Sequence, residues 1–346
     1  MCEGEITMAT VTLEMEGKDL ERVLGQLGVG ATYIDGVEAP QEFRFNFSGG
    51  WYTKTAVKQA MDILNSRYGY NYEINTSGGF TVTRQKKNRQ FVSCGDTVNS
   101  IKEAVANDPN GKQKCYLCFG KGADGYITIN FDEAVHILIA GTTGSGKSSL
   151  LNSLIMQILC FSTANVILID PKNGAEFGLY EQDIHDRVEH VAKDTQDAVK
   201  WLKVAVNIME QRYSEMSRKG LKKYDGKSII VVIDELADLM MTSKKEVEEH
   251  IIRIAQKGRA AGIHLIVATQ DPRAKVVTGL IKYNIPTKVC LKTANAQHSM
   301  NIIDVGRGAE LLDKGDGLVK LPSSPDLIRA QTPFITDEEI INCLTH

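Results

Sequence analysis

The stretch HILIAGTTGSGKSSLLNSLIMQIL, residues 136–159, decides the fold of this protein. Four apolar residues (137–140) run into a loop that contains three glycines, and apolar residues at helical spacing follow it. The loop, residues 141–148, fits the pattern G-x-x-x-x-G-K-[ST]. Because the pattern follows a buried strand and opens a helix, it has the context that phosphate binding requires. The stretch therefore predicts a P-loop in an α/β nucleotide-binding domain.

The residue types in the loop suit the chemistry of phosphate. Glycine lets the backbone curl, so that its N–H groups converge on phosphate oxygens, and the helix N-terminus adds a positive partial charge. We expect Lys147 to reach the β- and γ-phosphates and the Ser148 hydroxyl to bind Mg²⁺. The candidate nucleotide-binding residues of this stretch are Gly141, Thr142, Thr143, Gly144, Ser145, Gly146, Lys147, Ser148 and Ser149.

Two further apolar runs end in polar residues that can act beside a phosphate. Residues 229–233 lead into Asp234 and Glu235. Asp234 is predicted to hold the Mg²⁺ shell through water, and Glu235 to polarise a water for in-line attack. This pair favours hydrolysis over nucleotide binding alone, with ATP and Mg²⁺ as the cofactors. The other run ends in Thr269-Gln270, where Gln270 either senses the γ-phosphate, orients water or is simply a polar strand end.

Two basic residues near these runs have open interpretations. Arg259 follows a predicted helix that begins near Lys244 and lies beside glycine, a place where a solvated arginine is the common explanation. Lys172, in Asp170-Pro171-Lys172, faces either the nucleotide or a DNA strand. The sequence alone does not decide whether Arg259 is solvated or catalytic, or which of its two partners Lys172 faces.

The wider pattern predicts two domains. Continuous apolar runs alternate with helical stretches after residue 113, which is typical of a parallel sheet covered by helices on both faces. Residues 1–112 predict a smaller α+β domain, because an alternating strand pattern and an amphipathic helix occur there. The polar, turn-rich segment 107–112 is the predicted boundary.

Composition narrows the class of protein. The chain has 346 residues and a formal net charge of −3, so no globally basic surface is expected, although a local basic channel remains open. No apolar run is long enough for a transmembrane helix, and the first residues do not form a signal-peptide pattern. The seven scattered cysteines suit a reducing cytoplasm.

The C-terminal two thirds contains the motifs HILIAGTTGSGKS, VILIDPKNGAEFGLYE, VVIDELADLMM, RIAQKGRAAGIHLIVATQ, VTGLIKYNIPTKV and ELLDKGDGLV. With these motifs it resembles the motor of the FtsK/SpoIIIE family of double-stranded DNA translocases. The resemblance implies a RecA-like fold, assembled as a hexameric ring around duplex DNA and hydrolysing ATP at its subunit interfaces. It implies that Lys147, Ser148, Asp234 and Glu235 belong to the nucleotide site, and that Arg259 is an arginine finger completing a neighbour's site.

The same resemblance implies DNA contacts in the segment after Gln270. Lys282 matches a basic position of the family's DNA-facing loop. The family usually reads A-T-Q-R-P-S where this chain reads ATQDPR, so an acid, Asp271, replaces a base. Arg273 and Lys275 are the candidates to take over its phosphate contacts. The family's membrane and winged-helix domains have no counterpart in this sequence, so directional loading either comes from a loading or membrane partner, whose identity is open, or does not occur.

Other settings for such a motor stay open at this stage. A conjugation or packaging motor docked on a membrane or capsid partner would use the same kind of ATPase domain. A protein-secretion ATPase is a further alternative, but those enzymes usually carry tandem motor domains. A nucleotide-dependent switch is disfavoured by the presence of Glu235 and Arg259.

Overall fold

The computed structural model describes residues 8–39, 42–68, 72–76, 80–85, 91–111 and 114–345. The chain divides into two compact units, Met1–Gln90 with Gly122–Gly125, and Phe91–Lys121 with Tyr126–His346. This division falls before the predicted boundary at residue 112. The reason is a helix of residues 94–107, whose Ile101 is fully buried against Tyr116 and Cys118 of the second unit.

The first unit is a small α+β domain, as predicted. Its strands form one antiparallel sheet in the spatial order 30–38, 42–51, 80–85 and 72–75, and fully buried side chains such as Leu24, Phe45 and Val82 make its core. Its elements are α1 (Met8–Gln26), β1 (Gly30–Glu38), β2 (Glu42–Trp51), α2 (Lys54–Tyr68), β3 (Tyr72–Asn75) and β4 (Phe80–Gln85).

The second unit is built on a ten-stranded sheet with helices on both faces. Its strands are β5 (Tyr116–Gly122), β6 (Gly125–Asn130), β7 (Ile137–Ala140), β8 (Asn165–Ile169), β9 (Val188–Ala192), β10 (Ile229–Ile233), β11 (Ile263–Thr269), β12 (Thr287–Leu291), β13 (Asp316–Lys320) and β14 (Leu327–Gln331). Its helices are α3 (Cys94–Asn107), α4 (Phe131–Ala134), α5 (Lys147–Phe161), α6 (Thr195–Lys219), α7 (Leu236–Thr242), α8 (Lys244–Lys257), α9 (Gly279–Asn284), α10 (Ala296–Ile303) and α11 (Asp337–Thr345).

The centre of this sheet is parallel, as the continuous apolar runs predicted. Six strands lie side by side in the order β12-β7-β11-β10-β8-β9, and all are parallel. The sheet as a whole is mixed, because β13 pairs antiparallel with β12 and β14 pairs antiparallel with β13. The charged residues of β13 and β14 interrupt the apolar pattern by which buried strands are recognised in a sequence. Asp316 and Arg329 are both buried and form an ion pair of 2.7 Å across the two strands.

Two α-helical layers cover the sheet and provide its two large cores. One core includes Leu202 of α6 and Ile251 of α8, and the other includes Leu154 of α5 and Ile340 of α11. Within the described ranges, none of the helices has both the length and the apolar character that crossing a membrane demands.

Candidate active site

The predicted site residues gather at the carboxyl edge of the parallel strands. The P-loop follows β7, Asp234 follows β10, and Gln270 follows β11. In the sheet register Ala140 lies beside Thr269, and the Gly141 N–H donates a hydrogen bond to the Thr269 carbonyl at 3.3 Å. Because carboxyl ends of neighbouring parallel strands meet at one edge, ligands bind there in open α/β sheets.

The P-loop has a backbone that only glycine adopts readily. Gly144 and Gly146 have φ values of 80° and 100°, in the left-handed region. A Cβ on Gly146 would lie 2.6 Å from the Gly315 nitrogen, so the loop could not keep this packing with a larger residue. The segment before β13 braces it, because the Lys314 and Gly315 N–H groups donate to the carbonyls of Gly144 and Ser145 at 3.1 and 2.7 Å.

Lys147 lies in the first turn of α5 and is paired with Asp234. Its ammonium donates to the Asp234 carbonyl at 2.8 Å and to the Asp234 carboxylate. Both side chains are buried. A buried charge requires a partner of opposite sign, and the two predicted phosphate-site residues therefore neutralise each other in this structure.

Glu176 is a member of the site that sequence reasoning missed. The Ser148 hydroxyl donates to the Glu176 carboxylate at 2.9 Å. Asp170, at the end of β8, accepts the Glu176 and Phe177 N–H groups at 2.7 and 3.1 Å, and so shapes the turn that presents Glu176. The signal was available, because an aspartate at the end of a buried strand followed by Pro-Lys-Asn-Gly predicts a tight turn at the same sheet edge.

Glu235 is buried and held by several donors. Its Oε1 atom accepts the Thr269 hydroxyl at 2.7 Å, and its Oε2 atom accepts the Gln270 N–H at 3.0 Å. It also caps α7, accepting the Ala237 N–H at 3.2 Å. The ammonium of Lys172 is 3.9 Å from Oε2, so this lysine lies near the site. These contacts fix the carboxylate at the ends of β10 and β11.

A cavity of about 820 Å³ opens over the P-loop. Glu176, Gln270 and Lys314 line it beside the loop, and Gln270 accepts the Thr143 hydroxyl at 2.8 Å. The Ser145 hydroxyl is buried and has no hydrogen-bond partner among the described residues. Ser145 is not among the residues that line the cavity, so the fit to an anion rests on the glycine backbone and the lysine of the loop, which do line it. The residues present therefore suit the phosphates of a nucleotide.

Arg259 is not part of this cluster. It precedes β11 and is exposed, so it lies near the amino edge of the sheet, whereas the P-loop lies at the carboxyl edge. β11 has seven residues, which separates the two edges by about 20 Å. Arg259 lines a separate shallow pocket of about 450 Å³ with Lys222, Lys257 and Tyr213. Arg259 cannot reach the phosphate site of its own chain.

The predicted DNA contacts lie beyond β11, and two of the three are paired within the chain. Lys282, on α9, forms an ion pair of 2.6 Å with Asp304 and donates to the Met300 carbonyl at 2.9 Å. Arg273 donates to Asp271 through Nε at 2.6 Å, and its guanidinium holds the pKa of that carboxyl below its usual value. Lys275 is exposed. The acid that departs from the family pattern is thus neutralised two residues later.

The family assignment follows from a match over half of the chain. The sequence model of the FtsK/SpoIIIE family matches residues 100–228 and 222–274, which include the P-loop, Asp234, Glu235 and Arg259. The chain belongs to the FtsK/SpoIIIE family. The residues of the site described above therefore lie within the part of the chain that the family model matches, except for those after residue 274.

Curated FtsK relatives extend the similarity. The DNA translocase FtsK of Leptospira interrogans is 41% identical over 250 residues, covering 66% of this chain and 26% of that protein. DNA translocase FtsK 1 of Neisseria meningitidis is 32% identical over 384 residues, covering 97% of this chain and 46% of that protein. The chain thus spans less than half the length of these FtsK relatives.

Solved structures support the P-loop ATPase fold of this FtsK/SpoIIIE family member. The pCW3 conjugation coupling protein TcpA, in a monomer form with ATPγS, has a TM-score of 0.66 and 24% identity, covering 94% of this chain and 96% of that chain. The cytoplasmic domain of the type VII secretion ATPase EccC of Thermomonospora curvata has a TM-score of 0.57 and 21% identity, covering 67% of this chain and 31% of that chain. At these identities the likeness concerns the fold.

Proposed function

We propose that this chain is an ATP-driven translocase of double-stranded DNA, working as a ring of identical subunits. The observation that carries the proposal is the gathering of Lys147, Ser148, Asp234 and Glu235 at one sheet edge, with Arg259 at the other. The residues proposed to bind phosphate and the proposed general base are together on one chain, whereas the arginine lies at the far edge of the sheet. This arrangement suits hydrolysis between subunits. The names of the curated relatives, DNA translocases, support DNA as the substrate.

In the proposed reaction the P-loop N–H groups and Lys147 bind the β- and γ-phosphates, and Lys147 exchanges its contact with Asp234 for the phosphate. Ser148 and Asp234 are the residues that would hold Mg²⁺, which neutralises phosphate charge. Glu235 takes a proton from the attacking water, and Gln270 orients that water or the γ-phosphate. Arg259 of a neighbouring subunit stabilises the charge of the transition state.

The same geometry supports the proposal of a ring. A site that needs an arginine from a second copy is complete only at an interface between subunits. A closed head-to-tail ring gives every site one such arginine, and the family resemblance favours six subunits. The free thiols of all six described cysteines suit the reducing cytoplasm as the place of action.

DNA movement requires contacts that grip phosphates without reading bases. Lys282, Lys275 and Arg273 are the proposed contacts, since all three lie in the segment that leaves the carboxyl end of β11 near the nucleotide site. If this segment moves when Gln270 gains or loses its contact with the γ-phosphate, hydrolysis is coupled to movement of the DNA. Such contacts are tolerant of sequence and sensitive to salt.

The test is the ATPase rate of the chain against salt concentration, with linear duplex DNA, with single-stranded DNA and without nucleic acid. Strong stimulation by duplex of any sequence, falling as salt rises, supports the proposal. ATP hydrolysis that no DNA stimulates would overturn the DNA part and favour a motor for protein export, or one that needs a membrane or capsid partner. Absence of hydrolysis under all conditions would overturn the enzymatic part.

A further inference from the structure

The cavity over the P-loop has a second wall that the phosphate chemistry does not use. Phe91, Ser93, Thr332, Pro333 and Phe334 line it, and we call these residues the aromatic wall. The rings of Phe91 and Phe334 have 5.9 Å between their centroids and stand at 74° to each other. The two rings therefore make a corner, with one ring's edge facing the other ring.

Both rings are exposed to a degree that is unusual for phenylalanine. Phe91 is 68% exposed and Phe334 is 47% exposed. Leaving two large apolar side chains in water forgoes the free energy of burying them, which is roughly 25 cal/mol for each Å². Adjacent exposed aromatic rings that line a cavity commonly mark a ligand site.

The backbone holds this corner firmly in place. The Phe334 N–H donates to the Val92 carbonyl at 2.7 Å, and the Cys94 N–H donates to the Phe334 carbonyl at 2.8 Å. One residue further on, the Ile335 N–H donates to the Ser149 hydroxyl at 3.2 Å. Ser149 lies in the first turn of α5, directly after the P-loop. The aromatic wall is thus tied to the helix that begins at the phosphate site.

We propose that the aromatic wall binds the purine base of the nucleotide, which stacks on one of the two rings at this corner and meets the other ring edge-on. The base is joined through its ribose to the phosphates, and a single cavity holds both the P-loop and the wall. No charged or amide side chain of the described chain lies on this wall. Stacking, which depends on ring area and tolerates different base edges, is therefore the main source of base affinity.

A polar group lies between the two regions. Thr332 is 2% exposed, lines the cavity, and its hydroxyl has no hydrogen-bond partner among the described residues. A buried hydroxyl without a partner costs free energy unless a ligand supplies one. The Thr332 hydroxyl therefore suits a ribose hydroxyl or a ring nitrogen of the bound nucleotide.

This inference rests on the proposed nucleotide function, and the experiment separates the two. Isothermal titration calorimetry on the full chain compares ATP, UTP and inorganic tripolyphosphate. Tripolyphosphate probes the P-loop alone, and UTP offers a smaller ring. In the unaltered protein we expect ATP to bind more tightly than UTP, and both to bind more tightly than tripolyphosphate.

Phe334→Ala should weaken ATP binding about tenfold or more, in the range found when a stacking ring is removed. It should leave tripolyphosphate binding unchanged and abolish the preference for ATP over UTP. Phe91→Ala should act in the same direction, and Phe334→Tyr, which keeps the ring, should bind ATP normally. Because the Phe334 backbone makes the anchoring hydrogen bonds, the alanine variant should fold.

The other outcomes overturn the inference in distinguishable ways. Unchanged ATP affinity in both alanine variants would remove the base from this wall while the P-loop function stands. An equal loss for ATP and tripolyphosphate would make the rings a structural support of the loop. Failure of the unaltered protein to bind either ligand would reject the nucleotide function itself. Ile184→Ala, an exposed apolar truncation outside the cavity lining, is the matched control.

Discussion

The Thr269 hydroxyl donates a 2.7 Å hydrogen bond to Glu235, joining the ends of two adjacent parallel strands. Both side chains are buried, and the next backbone N–H, that of Gln270, donates to the same carboxylate. The proposed base is thus held by the strand that leads to the proposed DNA contacts. Any shift of β11 relative to β10 would change the donors around Glu235, so under the proposed function a movement of the DNA segment would act on hydrolysis through these two strands.

Removing the Thr269 hydroxyl should destabilise the protein. Thr269→Val keeps the shape of the side chain but leaves Glu235 buried with one donor fewer, which costs about 1–3 kcal/mol. Urea unfolding followed by circular dichroism measures this change. Thr269→Ser keeps a hydroxyl and should retain most of the stability. A loss of stability in Thr269→Ser with none in Thr269→Val would show that packing of the methyl group, and not the hydrogen bond, is what matters.

Glu235→Gln should separate binding from turnover. The amide keeps the size of the side chain but cannot take a proton from water, so ATP affinity should change little and kcat should fall by about 100-fold or more. Calorimetry and a steady-state ATPase assay measure the two effects. Glu246→Gln, on the exposed face of α8, makes the same chemical change away from the site and should be active. A Glu235→Gln variant with normal kcat would reject Glu235 as the base.

Arg259→Ala should keep ATP binding and lose turnover, since the P-loop of the same chain is at the other sheet edge. The decisive measurement mixes Arg259→Ala with Glu235→Gln subunits. Where a subunit with intact Glu235 meets a neighbour with intact Arg259, a complete site forms, so the mixture should hydrolyse ATP faster than either variant alone. Arg253→Ala on α8 is the matched control and should be active alone.

No gain on mixing, under conditions where the subunits assemble and exchange, would contradict the action of Arg259 between subunits. Normal hydrolysis by Arg259→Ala alone, in the presence of duplex DNA, would contradict a role in catalysis altogether.

Asp304→Asn should strengthen DNA binding if Lys282 is a phosphate contact. Asp304 pairs with Lys282 at 2.6 Å and with Lys320 at 2.9 Å, so its neutralisation frees both ammonium groups. Its φ of 66° is in the left-handed region that asparagine tolerates, so the backbone should persist. Duplex affinity should rise, and the slope of log K against log salt should steepen by about 1 for each lysine that reaches a phosphate.

The control for that measurement is Asp326→Asn, which removes one negative charge at an exposed position away from these lysines. An equal gain in affinity in both variants would assign the effect to net charge alone. Lys282→Glu should act in the opposite direction, weakening DNA stimulation and flattening the salt dependence.

Stability should fall in mild acid because two histidines are buried as neutral rings. Burial lowers the pKa of His136 to about 3 and that of His264 to about 4, against an ordinary value of 6.5. Protons therefore prefer the unfolded chain. The stability contributed by the neutral rings is present above pH 6.5 and is lost as pH falls from there towards 4, by up to about 1.4 kcal/mol per pH unit for each ring.

Urea unfolding between pH 7.5 and 5 measures this slope. His264→Asn should reduce it, whatever its effect on absolute stability, and replacement of the exposed His185 by alanine should leave it unchanged. A slope that His264→Asn does not alter would place the acid sensitivity elsewhere.

Local sequence determined the parallel centre of the fold and most of the nucleotide site. Strands buried on both faces must be apolar throughout, and a phosphate loop must carry glycine, lysine and a hydroxyl at set spacing. Residues 137–148 and 229–235 are therefore recognisable from the sequence alone. The sequence pattern did not predict the antiparallel strands β13 and β14, because the charges of Asp316 and Arg329 neutralise each other only after the strands pair.

Tertiary structure alone decided which distant residues share one surface. Glu176 meets Ser148, and Phe91 meets Phe334, across long separations in sequence. It also decided the distance between Arg259 and the P-loop, which lie at opposite edges because a strand of fixed rise runs between them. Periodicity and motif spacing report on neighbours along the chain, whereas such contacts depend on strand order and on the packing of the whole sheet.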